Sequence, residues 1–175
     1  FFCVLLSLFA QNPALDTIYK NPEGKFTMRY PSSWVIDTDQ ESLVFFSGPT
    51  RFTDPQTAPS IEISISGLPH SAGGEDTESI IKLLLPYYQD ILEDQGLEYP
   101  DIKDLGLSMI NGHKYYSLVI DGILEGNQIR CEQHFALYKQ DLMMITMTSL
   151  SEEYEDVKPV FKAVLNTITL KGDER

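Results

Sequence analysis

The chain is poor in positive charge. Thirteen Lys and Arg stand against 26 Asp and Glu, a formal net charge of −13 and an isoelectric point near 4.5. Affinity for nucleic acid rests largely on neutralising phosphates with Lys and Arg, so no nucleic-acid partner is expected. Anionic membrane surfaces are disfavoured on the same ground. Cysteine is scarce too, with only Cys3 and Cys131 among 175 residues. Long apolar runs are missing: the longest, Phe1–Ala10, has ten uncharged residues, half of the about 20 that a membrane-spanning helix needs.

That run has the length of a secretory h-region, about 7–15 residues. It reads as 1–10 residual signal-peptide h-region, with a polar mature start at Gln11-Asn12-Pro13 and 11–18 as linker. The alternative is a buried first strand or helix of the domain. Export places the protein outside the cytoplasm, secreted or periplasmic, with no membrane insertion after signal removal. Cys131 then stands alone, so no intramolecular disulfide is expected, and the core must supply the stability. The 42% hydrophobic and 11% aromatic content can furnish one. The length suits a single domain, 19–170, with a polar tail at 171–175.

Period-two alternation marks Lys25–Tyr30 as a half-buried strand. Pro31 breaks it, Trp34–Ile36 begins a second strand, and Leu43–Phe46 forms a third. Ser60–Ser66, with Ile61, Ile63 and Ile65 facing one way, is the cleanest strand of all. Asp76 or Thr77 can cap a helix whose stripe is Ile80, Leu84, Tyr87 or Tyr88, and Ile91. Pro86 should kink or split that helix, and Gly96 should close it. Strands then follow over Leu105–Ile110, Lys114–Ile123, Ile129–Tyr138 and Leu142–Ser149. Their short turns, Asn111-Gly112 above all, imply an antiparallel meander. A last helix covers roughly Glu152–Ile168, regular from near Val157 because Pro159 suits only a first turn. Runs of strands with two helices argue an α+β fold.

The run from Tyr19 through Asn21-Pro22-Glu23-Gly24 to Tyr30-Pro31-Ser32-Ser33-Trp34 resembles the opening of PsbP-like proteins, where a strand ends in a Tyr-Pro-x-x-Trp corner. The later order of helix, Asn-Gly hairpin, strand pair and terminal helix is similar across Tyr19–Leu170. The resemblance implies an antiparallel β-sheet flanked by helices, the α/β/α sandwich shared by PsbP and Mog1. Tyr30, Pro31 and Trp34 are its structural motif. The best-known member is an extrinsic subunit of photosystem II in the thylakoid lumen, so a photosynthetic host would imply a lumenal site. Many relatives are exported bacterial proteins without an assigned activity.

Catalytic signatures are sparse. No Gly-x-Ser-x-Gly elbow, P-loop or Gly-x-Gly-x-x-Gly occurs. Asp37, Asp39 and Glu41 alternate, so on an extended segment their carboxylates project together and could ligate Ca²⁺. They lack the Gly and Glu of an EF-hand loop, and a solvated acidic turn is the bland reading. Arg130, Glu132 and His134 share a strand face, which reads as a surface ion-pair ladder. Cys131 faces the other way, as a small buried hydrophobe. Tyr87, Tyr88, Tyr115, Tyr116 and Tyr138 are either a recognition surface or a helix–sheet interface. The reading that results is a non-enzymatic exported domain without a cofactor, acting through protein contacts as an accessory or assembly factor of a membrane complex. The alternative is a small-ligand or Ca²⁺-binding extracytoplasmic protein.

Overall fold

Alternating isoleucines put one side of a strand into a core, and in the computed structural model Ile61 and Ile63 are fully buried. The structure describes residues 14–40, 43–47, 58–68, 76–139 and 141–171, with 38–40 and 43–47 as backbone only. The chain runs β1 (Thr17–Lys20), β2 (Phe26–Tyr30), β3 (Val35–Gln40), β4 (Leu43–Ser47), β5 (Ser60–Gly67) and α1 (Thr77–Asp94). There follow β6 (Leu97–Ile110), β7 (His113–Leu124), β8 (Asn127–Tyr138), β9 (Asp141–Leu150), α2 (Tyr154–Leu165) and β10 (Thr169–Leu170). Seven strands form one antiparallel sheet in the order β3-β4-β5-β9-β8-β7-β6, and β1-β2-β10 form a small second sheet. The expected meander is β6 to β9.

Two turns carry it. Asn111 and Gly112 both have positive φ, 49° and 82°, as a two-residue type I′ hairpin requires. Glu125-Gly126 repeats the device at 51° and 81°. β6 starts at Leu97, eight residues before the expected Leu105, and β1 begins at Thr17, inside the segment read as linker. The leader region 1–10 lies outside the described residues.

α1 is capped as expected: the Asp76 carboxylate accepts from the Ser79 N–H at 2.8 Å. Gly96, at φ 90°, follows its C-cap Gln95. Pro86 does not split it. The proline is exposed, so the carbonyl it leaves without a helical donor is on the solvated side. α2 starts at Tyr154, not near Val157, and holds Pro159 inside. Pro159 is exposed too, and burial of Tyr154 and Phe161 holds the early turns in place.

Each helix covers its own face of the large sheet. Ile81, Tyr88 and Leu92 of α1 pack with Tyr116, Leu118, Ile120 and Phe135. On the other face Phe161, Val164 and Leu165 of α2 join the small sheet's Phe26, Met28 and Leu170 over Ile61, Tyr115, Met143 and Ile145. The layers are α1, sheet, then α2 with the small sheet.

Candidate functional site

α1 carries more apolar residues than burial uses. Positions 80, 84, 87, 91 and positions 81, 85, 88, 92 are two parallel helical rows. The second row is the buried one, with Leu85 half-buried. Tyr88 helps decide the choice, because its hydroxyl donates to Gln133 Oε1 on β8 at 2.6 Å. Of the expected stripe only Ile80 and Tyr88 face inward. Leu84 and Ile91 are partly exposed, while Leu83 and Tyr87 are 67% and 64% exposed.

β6 borders the same layer. Among the described residues it is an outer strand of the large sheet and pairs only with β7. Leu107 and Met109, exposed on this strand, lie on α1's side, since Leu107 is the register partner of Tyr116. An open edge invites pairing with another chain. Here it is interrupted by register shifts at Glu98/Asp101 and Asp104/Gly106. Gly106 takes φ 71°, and its N–H donates to Asp104 Oδ1 at 2.7 Å. What remains open is an apolar surface of side chains on α1 and β6.

The opposite face holds a buried polar cluster. The expected surface ladder of Arg130, Glu132 and His134 is not what forms. Arg130 turns to its cross-strand partner Asp121, donating from Nε and Nη2 at 2.7 and 2.8 Å, and its guanidinium lies over the Tyr154 ring. Glu132 and His134 are covered by α2. His134 is 3% exposed. Its Nδ1 lies 2.8 Å from Ser117 Oγ, and its Nε2 lies 3.4 Å from Glu132 Oε1 without hydrogen-bond geometry. The Tyr154 hydroxyl donates to Glu132 Oε2. His134, and then Tyr154, hold the Glu132 carboxyl down at about 2 against the opposing effect of burial. Burial and the Glu132 charge push the Tyr154 phenol well above its ordinary value. The sequence signal was the Glu132/His134 pair at i, i+2, but nothing local shows that a helix lies over it.

Other expected positions fall as follows. Asp37 is exposed on β3; the side chain of Asp39 and all of Glu41, and with them the expected Ca²⁺ site, lie outside the described residues. Among the described residues no cluster of three His, Cys, Asp or Glu could hold a metal. Tyr30, Pro31 and Trp34 form a tight corner, with the Trp34 N–H donating to the Pro31 carbonyl at 3.0 Å. Trp34 is buried and meets Phe161 edge-on, centroids 6.3 Å apart. Of the five tyrosines, Tyr88, Tyr115, Tyr116 and Tyr138 are buried, and Tyr87 alone is a surface residue.

No protein-family model matches the chain, and no curated protein does. Solved structures do. Cyanobacterial PsbP (CyanoP) from Synechocystis is similar over 88% of this chain and 91% of its own, at 15% identity and a TM-score of 0.61. The chain has the PsbP/Mog1-like fold. A Mog1 mutant structure matches over 90% of this chain and 96% of its own, at 8% identity and TM-score 0.58. LpqN of Mycobacterium tuberculosis, described as involved in cell envelope biogenesis, matches over 89% and 90%, at 12% and 0.60. The chain spans about half, 51%, of a similar Bacteroides thetaiotaomicron structure. The PsbP/Mog1-like arrangement is the α+β sandwich expected from the Tyr-Pro-x-x-Trp corner.

Proposed function

We propose that this PsbP/Mog1-like domain is a non-enzymatic, extracytoplasmic contact module, an accessory or assembly factor of a membrane complex. The observation that carries the reading is the outward apolar side of α1, where Leu83, Leu84, Tyr87 and Ile91 are presented to solvent. Contiguous exposed apolar side chains mark interaction surfaces, and Tyr in particular is enriched at them. The net charge of −13 favours a partner surface that is apolar at its centre and basic at its rim. Placement in the envelope is supported by the apolar leader and by the likeness to LpqN. Among the described residues no helix is long and apolar enough to cross a membrane.

The test is cross-linking in intact host cells with the full chain and a Leu83→Glu/Tyr87→Glu variant. The variant should lose the cross-linked partner while its unfolding midpoint stays put, because both side chains are exposed. A partner recovered equally well by both proteins would overturn the reading.

A further inference from the structure

On the far side of the sheet from the α1 surface, a cavity of about 360 Å³ opens between α2, β6 and the buried polar cluster. Small-molecule sites run from about 300 to 1,000 Å³. Leu105, Ile110 and Leu165 wall it, Ser117, Glu132 and His134 lie at its base, and Lys162 and Asn166 stand at its exposed mouth. One atom of that base is left over. His134 Nε2 is shut off from solvent and has no hydrogen-bond partner, although buried polar groups in folded proteins are nearly always paired.

The chemistry of the missing partner follows from the neighbours. Glu132 is ionised at neutral pH, its carboxyl held at about 2. Beside it the imidazole proton belongs on Nε2, and Nδ1 accepts from the Ser117 hydroxyl. A ligand atom here therefore meets a donor, Nε2–H, and an acceptor, Glu132 Oε1, 3.4 Å apart. A hydroxyl is the small group that serves both at once. An anionic head would meet the Glu132 charge, and a cationic head the Lys162 ammonium, so the balance favours a neutral ligand. The three apolar walls require a hydrocarbon body.

We propose that this cavity binds a small neutral amphiphile carrying one hydroxyl group, of the alkylphenol or short fatty-alcohol class, with the hydroxyl between His134 Nε2 and Glu132 Oε1. The linkage Ser117–His134–Glu132 has the connectivity of a nucleophile, base and acid, but binding is the better use of it. Ser117 lies mid-strand between Gly106 and His134, where backbone N–H groups are committed to the ladders and leave no oxyanion donors. The inference rests on the cavity and not on the α1 surface, so failure of one leaves the other standing.

The test is titration of the full chain with 4-propylphenol, propylbenzene and 4-propylbenzoate, followed by NMR at the His134 imidazole and the Ser117 amide. The phenol should shift both signals saturably and bind at least tenfold more tightly than either relative. Ser108→Trp, at the exposed rim of the cavity, should abolish the response with the rest of the amide spectrum intact. His134→Phe should erase the preference of phenol over hydrocarbon. No saturable shift, equal binding of propylbenzene, strongest binding of the benzoate, or full binding by Ser108→Trp would each overturn the proposal.

Discussion

Tyr154, the first residue of α2, donates its hydroxyl to Glu132 on β8, tying a helix start to the centre of the sheet it covers. The phenol is itself 2% exposed and the carboxylate is largely covered. Hydrogen bonds to charged groups are worth about 1.5–3 kcal/mol, so Tyr154→Phe should lower the stability by that order. Urea unfolding at neutral pH measures it.

The same pair sets an acid dependence. The Glu132 carboxyl is depressed from 4.5 to about 2. Its contribution to stability is complete above about 4.5 and fades as the pH falls through about 2, because the unfolded chain takes up the proton first. Unfolding free energies across that window should drop more steeply for the native chain than for Glu132→Gln. Parallel curves for the two proteins would contradict the assignment.

Trp34 anchors the corner of β2 and β3 against Phe161. Trp34→Ala should cost about 3–5 kcal/mol, as for other buried aromatics cut to alanine. The midpoint of chemical unfolding reports it.

Gly122 is a close-approach position. A Cβ there would lie 2.8 Å from Leu97 Cγ and Cδ1 and 3.2 Å from the Glu98 carbonyl oxygen. Leu97 is buried and has little room to yield. Gly122→Ala should destabilise by about 1–3 kcal/mol through overpacking. Combined with Leu97→Ala it should cost less than the sum of the two single changes.

Burial pushes the Cys131 thiol up to about 11. At pH 8 the native chain should leave Cys131 unmodified by iodoacetamide, and urea should make it reactive. Peptide mapping by mass spectrometry separates it from Cys3.

The parts of the fold that were legible in the sequence are those with local causes. Asn111-Gly112 fixes a hairpin by its own backbone preferences, Gly126 supplies the left-handed position of the next turn, and Asp76 caps α1 with its own side chain. What escaped depends on partners. The first half of β6 contains Pro100 and a left-handed Tyr99 and breaks register, yet its Leu97 and Pro100 are buried. β1 and β10 are short strands that form against β2. The rotation of α1 could not be read, because two helical rows are equally apolar and a contact to Gln133 settles which is buried. Likewise, Glu132 and His134 show the same spacing whether water or a helix lies over them.

Tyr115 and Tyr116 are chain neighbours that belong to separate hydrophobic interiors. Sliding β7 by a single position would exchange the occupants of both interiors at once and carry Ser117 away from His134. The two interiors therefore proofread each other's alignment: neither can tolerate an error that the other would accept.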